Sequence, residues 1–208
     1  MVADPLGVLM GVREERAARA EVRLAQARQV LDELNFLDRW RTVGDPVVVG
    51  SVALGAVVRP DVDLEIYTGS PSIRDGFGVV ADLAEQPKVR AMRYKDERDR
   101  PSRGLYWRLD YELTPEETWH VDMWLFPSGP AHGSSTELTE AVAGALTEGR
   151  RDAVLAIKEE AVGRGTRAHG HWVYQAVIDE GVASYAEYVE WLGDRDVWEH
   201  TDWRPKPA

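Results

Sequence analysis

The sequence contains no cysteine. This excludes a disulfide framework, a thiol nucleophile and a thiolate metal site, so a metal ion can be bound only through oxygen or imidazole ligands. Long apolar runs are also lacking, because the longest, 47–58, contains two glycines and is too short to span a bilayer. The N-terminus lacks the basic, apolar and small-residue regions of a signal peptide. We therefore expect a cytoplasmic protein.

Basic residues are outnumbered, with 25 Lys and Arg against 36 Asp and Glu and a formal net charge of −11. This balance disfavours non-specific binding of nucleic acid or anionic membrane over the whole surface. The charge is unevenly distributed, because 88–108 is basic and the last part of the chain, from Trp172, is acidic. The basic stretch is typical either of a solvated hairpin rim or of a phosphate-facing surface.

Periodicity predicts a mixed chain of helices and short strands. Helical spacing covers 12–40 as one helix or two, and the turn Gly44-Asp45-Pro46 ends it. Further helices are predicted at 72–85, 135–147, 150–162, 172–180 and 184–192, and strands at 47–49, 61–67, 89–94, 105–113 and 119–126. We expect an α/β (α+β) fold with a mixed sheet, divided into an N-terminal helical segment (1–44), a core (45–130) and a C-terminal helical region (131–208), with 127–135 as a linker.

Two carboxylates share one face of the second predicted strand. Asp61 and Asp63 are two residues apart, so both side chains point the same way, roughly 6.5 to 7 Å apart along the strand. Such a pair suits Mg²⁺, which is commonly shared between one or two carboxylates and substrate phosphates. Upstream, Gly50 permits close approach of the backbone to a ligand, and Ser51 with the following amides can donate hydrogen bonds to phosphate oxygens.

At these residues the chain resembles the nucleotidyltransferase superfamily, which has a polymerase-beta-like fold and includes antibiotic adenylyltransferases. The shared pattern is Val47-Val48-Val49-Gly50-Ser51, a spacer, then Asp61-Val62-Asp63-Leu64. Leu54 and Pro60 depart from it, standing where Arg and Ser are frequent in the superfamily. The resemblance implies an enzyme that binds an NTP such as ATP and Mg²⁺, with two ions, and transfers a nucleoside monophosphate.

Nucleotidyl transfer requires a third carboxylate near the first two, so that a second metal ion can bind and the acceptor hydroxyl can lose its proton. We assign this role to Asp122, which lies mid-strand between Val121 and Met123. The resemblance implies the same position. Asp110 is the competitor, but it shares a face with Arg108 and Glu112 and is expected at a solvated edge. Glu65 lies about 13 Å from Asp61 along the strand, so we expect it to be structural or peripheral.

Lys158 lies in the middle of an apolar helical stripe. It either binds the phosphates of the nucleotide or packs its stem on the core while its ammonium group reaches solvent. Both interpretations stay open. His120 and Trp124 share the face of Asp122, and Trp124 is a candidate for stacking on a base. His169 and His171 are expected in a mobile connection rather than a metal site.

Three functions remain. The first is transfer to a small-molecule acceptor, and the overall acidity favours a cationic hydroxylated molecule such as an aminoglycoside. The second is a toxin-like nucleotidyltransferase acting on RNA or protein through the basic stretch at 88–108. The third is a nucleotide-binding member of the fold without turnover, an interpretation that the departure at Leu54 favours.

Overall fold

The computed structural model describes residues 5–128, 135–199 and 201–205. Five strands and eight helices are present in this part of the chain. In order they are α1 (Pro5–Glu33), α2 (Phe36–Arg41), β1 (Asp45–Val49), α3 (Gly50–Ala53), β2 (Asp61–Thr68), α4 (Ile73–Ala84), β3 (Val89–Asp96), β4 (Leu105–Thr114), β5 (Glu117–Pro127), α5 (Ser135–Ala145), α6 (Glu148–Gly163), α7 (Gly170–Asp179) and α8 (Tyr185–Leu192).

The elements follow the predicted pattern closely. The N-terminal helical region begins at Pro5, earlier than predicted, and consists of two helices because Asn35 adopts a left-handed conformation with φ of 46°. Two later helices have serine N-caps: Ser72 accepts a hydrogen bond from the Asp75 amide, and Ser184 forms a capping box with Glu187. Most of the predicted linker, 129–134, lies outside the described residues.

The chain divides into two compact units that are both discontinuous in sequence. One consists of 25–53 and 60–136 and contains the whole sheet. The other consists of 1–24, 54–59 and 137–208 and is mainly helical. Within the described ranges, no helix is both long enough and apolar enough to cross a membrane.

The sheet has the order β1-β2-β5-β4-β3. The β2–β5 pair is parallel and the other three pairs are antiparallel, so the predicted mixed sheet and the β3–β4 hairpin are confirmed. Pro46 lies in β1, where an edge strand tolerates the missing amide hydrogen.

Strict alternation gives the sheet one apolar and one polar face. In β4 and β5 every odd-numbered residue from Leu105 to Leu113 and from Trp119 to Leu125 is buried. Trp107 is the centre of this apolar side: it is fully buried, and its ring lies 5.9 Å from that of Trp40 and 5.3 Å from that of Tyr94. Helix α4 packs here through Gly76, where an added Cβ would lie 2.3 Å from the Trp107 ring.

The helical unit has its own apolar cluster. Leu155, Trp172 and Val173 are among its buried members, and Leu54 and Ala56 join it from the short segment 54–59. At the C-terminus the Trp203 indole donates a 2.7 Å hydrogen bond to Asp179, which attaches the tail to the end of α7. This hydrogen bond fixes the position of the C-terminal tail, which the sequence alone does not predict.

Two glycines of α4 provide a matched test of how this helix packs on Trp107. Gly76→Ala is expected to destabilise the protein by about 1 to 3 kcal/mol, because the new methyl group meets a buried indole that is enclosed by other rings. Gly78→Ala is expected to stabilise it by about 0.5 to 1 kcal/mol, because its Cβ would meet nothing within 4 Å and alanine favours the helix. Urea unfolding of both variants measures the difference, and equal effects would contradict the packing described.

Candidate active site

The predicted acids lie on the polar face of two neighbouring strands. Strand β2 carries Asp61 and Asp63, and the parallel strand β5 places His120 opposite Asp61 and Asp122 opposite Asp63 as Cα partners. Adjacent strands lie about 4.8 Å apart. Asp63 and Asp122 are therefore direct neighbours across the ladder, and both are half-buried.

The Gly-Ser turn lies against this pair. Gly50 follows β1 directly, adopts a φ of 66° and begins α3. A Cβ at this position would lie 3.1 Å from Oδ2 of Asp63, so the missing side chain lets the backbone pass beside the carboxylate. Ser51 occupies the first turn of α3, where the backbone amides are not used by preceding turns of helix. The turn therefore lies directly beside the Asp63 carboxylate.

Asp122 is held by Tyr106, a residue that sequence reasoning missed. The Tyr106 hydroxyl donates a hydrogen bond to Oδ1 of Asp122 from the neighbouring strand β4. Burial raises the pKa of Tyr106, and the Asp122 charge raises it further, so the hydroxyl stays a donor at neutral pH. The alternation of β4 places Tyr106 on the polar face, but only the register of β4 with β5 identifies its partner.

Asp110, the competitor for the third acid, lies farther from β2. It belongs to β4 and pairs with His120, so β5 separates it from Asp61. Its Oδ1 is 2.7 Å from His120 Nδ1 and 3.4 Å from Arg108 Nε. The expectation of a solvated edge is wrong, because β3 lies outside β4 and is the edge strand.

The donor set fits Mg²⁺ that is shared with a substrate. In the part of the chain that the structure describes, no three acidic or histidine side chains converge to hold a metal ion by themselves. Mg²⁺ does not require such a cage, since it keeps several waters and is commonly bound by one or two carboxylates together with phosphates. Asp61 and Asp63 supply hard oxygen ligands, and Gly50 lets the backbone approach the Asp63 carboxylate closely.

Glu65 has a structural role. It is only 3% exposed, and its carboxylate accepts hydrogen bonds from the amides of Ser135 and Thr136 at the start of α5, at 2.8 and 2.9 Å. The Tyr67 hydroxyl and the Thr136 side chain donate two more. A carboxylate at this place neutralises the free amides and the positive end of the helix dipole.

Lys158 is bound inside the helical unit. Its Nζ donates to the Ala56 carbonyl at 3.2 Å and to the Tyr174 hydroxyl at 3.1 Å, and it lies 4.9 Å from the centre of the Tyr174 ring. The residue is half-buried, and its ammonium group has polar partners within the unit. Its binding of phosphate stays a prediction.

The two histidines expected in a mobile connection lie at a helix start instead. His169 is the N-cap of α7, and His171 is in its first turn. The His169 ring packs edge-on against Trp198 at 4.6 Å. Trp124 lies on the polar face as expected, 4.8 Å from the ring of Tyr106.

Comparisons with known proteins identify the fold. No protein-family model and no curated protein matches the chain. Two crystal structures of the Cid1 poly(U) polymerase are similar to it. The one with MgGTP bound is 17% identical at a TM-score of 0.51, over 67% of this chain and 42% of that chain. The one with Mg 3′-dATP bound is 16% identical at 0.52, over 77% and 53%.

The structure of CdnC with ATP, from E. coli MS115-1, is 12% identical over 86% of this chain and 71% of that chain. Its TM-score of 0.49 is too low to carry an argument. The chain spans about half the length of the Cid1 chains. At these identities the likeness establishes the fold alone, and the chain has the polymerase-beta-like nucleotidyltransferase fold that the motif predicts.

Glu65→Gln separates a structural acid from a metal-binding one. An amide has one acceptor oxygen and cannot replace a carboxylate that accepts four hydrogen bonds, so we expect a loss of about 1 to 3 kcal/mol in the free energy of unfolding. Glu116→Gln, at an exposed position, is the control and should change stability by less than about 0.5 kcal/mol. A Glu65→Gln variant of normal stability that fails to bind Mg²⁺ would contradict this role.

Proposed function

We propose that this chain, which has the nucleotidyltransferase fold, transfers a nucleoside monophosphate from an NTP to a hydroxyl acceptor, with pyrophosphate as the leaving group. One observation carries the proposal. Asp63 and Asp122 are Cα partners in parallel strands, Asp61 lies on the same face, and the Gly50 backbone passes beside Asp63. A solvated strand face does not require this combination of clustered acids and a turn without a side chain.

Each residue has a distinct role in this proposal. The turn at Gly50 and Ser51 binds triphosphate oxygens through backbone amides and the serine hydroxyl. Asp61 and Asp63 provide the oxygen ligands for Mg²⁺, and Asp122 allows a second ion to bind. Bound Mg²⁺ would neutralise the charge that develops on the triphosphate. With the Tyr106 hydroxyl hydrogen-bonded to Oδ1, the Asp122 carboxylate would orient the acceptor hydroxyl and receive its proton.

The structure does not favour the acceptor that net charge suggests. On the polar face, the neighbour of Asp122 in β4 is Arg108, and the neighbour of Arg108 in β3 is Arg93. These arginines do not attract a cationic molecule such as an aminoglycoside, so this side of Asp122 does not favour its binding. The observation favours the second candidate, an enzyme that acts on RNA or protein through the basic stretch at 88–108, and of these two acceptors the anionic RNA.

The acids can be tested one at a time. Asp61→Asn, Asp63→Asn and Asp122→Asn should each abolish transfer of label from an NTP, because each removes a negative charge that compensates the metal ions. The fold should persist, and stability should hold or rise, since the change relieves repulsion between neighbouring carboxylates. Circular dichroism and thermal unfolding accompany the transfer assay.

Asp110→Asn is the matched control, because it makes the same chemical change on the same face, one strand farther from β2. This variant should retain transfer activity. Any decrease in activity should be only what the loss of the contact with His120 causes. If Asp110→Asn abolishes transfer while Asp122→Asn does not, the assignment of the third acid is wrong.

Lys158→Met tests a role in nucleotide binding. If Lys158 binds the NTP, its loss should weaken NTP affinity by about 1.5 to 3 kcal/mol, the range for a charged hydrogen bond. Tyr174→Phe is the control, because it removes one partner of the ammonium group and leaves the charge in place. Calorimetric titration measures both variants, and an unchanged NTP affinity in Lys158→Met would assign this lysine to the core alone.

A further inference from the structure

A row of cations begins beside Asp122. In the register of the sheet, Asp122 is opposite Arg108 in β4, and Arg108 is opposite Arg93 in β3. Lys95 follows Arg93 on the same face and is opposite Tyr106. With strands about 4.8 Å apart, the row extends about 10 Å from the third acid toward the edge of the sheet.

Two of these cations are available to bind a ligand. Arg93 and Lys95 are exposed, and neither forms an ion pair with any residue that the structure describes. Lys95 lies 5.6 Å from the centre of the Tyr106 ring. Other cations of the hairpin are paired: Lys88 with Glu33, Arg90 with Glu112 and Arg98 with Asp96.

The acids that face this row are already engaged. Glu112 accepts two hydrogen bonds from Arg90, at 2.8 and 3.0 Å. Asp110 contacts His120 at 2.7 Å and Arg108 at 3.4 Å, and Arg108 keeps 28% of its side-chain surface exposed. The positive charge of Arg93 and Lys95 is therefore not cancelled locally, although the whole chain is acidic.

An aromatic group lies directly beside the cations. The rings of Trp124 and Phe126 are stacked with an interplanar angle of 1° and a centroid distance of 5.7 Å, and Tyr106 packs on Trp124 at 4.8 Å. Gly104 makes room for them, since a Cβ there would lie 2.5 Å from the Phe126 ring. All three rings are half-buried and on the polar face.

We propose that this surface, Arg93, Lys95 and Arg108 with Tyr106, Trp124 and Phe126, binds the acceptor and that the acceptor is a single-stranded nucleic acid. Single strands are bound by cations that contact the backbone and by aromatic rings on which bases stack. The three cations lie on two neighbouring strands, β4 and β3, so they can contact more than one phosphate, which favours a polymer over a mononucleotide. The proposal rests on the proposed function, because the row matters for transfer only if Asp122 is at the reacting hydroxyl.

The test measures binding of fluorescently labelled single-stranded RNA and DNA oligonucleotides to the full chain, without NTP, over a series of salt concentrations. Arg93→Gln/Lys95→Gln should weaken binding about tenfold or more at low salt. It should also reduce the slope of log K against log salt by about 1.4, because each phosphate contact contributes about 0.7 for single strands. Trp124→Leu should weaken binding and leave the slope unchanged, with thermal unfolding as the check on its fold.

The control is Arg28→Gln/Arg74→Gln, which removes two exposed arginines from α1 and α4 and should change neither affinity nor slope. Equal slopes in the control and in Arg93→Gln/Lys95→Gln would overturn the proposal, as would binding of an aminoglycoside and of no oligonucleotide. A separate assay of label transfer from NTPs tests the enzymatic function independently of the binding surface. Oligonucleotide binding through the row with no transfer of any nucleotide would support the surface and count against the enzymatic function.

Discussion

The parallel pairing of β2 with β5 is the constraint on which the proposed site depends. The connection between these strands contains α4 and the whole β3–β4 hairpin, yet the register places Asp63 opposite Asp122. Side chains alternate along a strand, so a shift of one residue would turn Asp122 into the apolar side and bring Val121 to the acids. The buried partners Leu64 and Met123 fix the register, because a shift would also expose them.

Local sequence patterns predict much of the fold. The alternation in β4 and β5 predicts which residues are buried, because a sheet with one apolar face requires a period of two. Ser184 is a residue type that favours N-caps, and α8 starts directly after it, with Glu187 completing a capping box. Asp61 and Asp63 are recognisable for the same reason: their relation is set within one strand, and the adjacent Gly-Ser turn adds an independent signal.

Contacts between distant parts of the chain were not predictable. The sequence leaves Glu65 structural or peripheral and does not identify its partners, because Ser135 and Thr136 lie about seventy residues away. Tyr106 becomes part of the site only through the pairing of β4 with β5, and the apolar run 47–58 gives no sign that its second half belongs to the helical unit. These relations depend on tertiary packing, which no local period encodes.

In the proposed site, the polar face of β2 and β5 binds a metal ion together with an NTP. The most direct measurement is an anomalous difference map from crystals that contain Mn²⁺ in place of Mg²⁺ and a non-hydrolysable NTP analogue. We expect a Mn²⁺ peak within direct coordination distance of the Asp61 and Asp63 carboxylates, with triphosphate density beside Gly50 and Ser51. A bound analogue whose metal peak lies away from both carboxylates would contradict it.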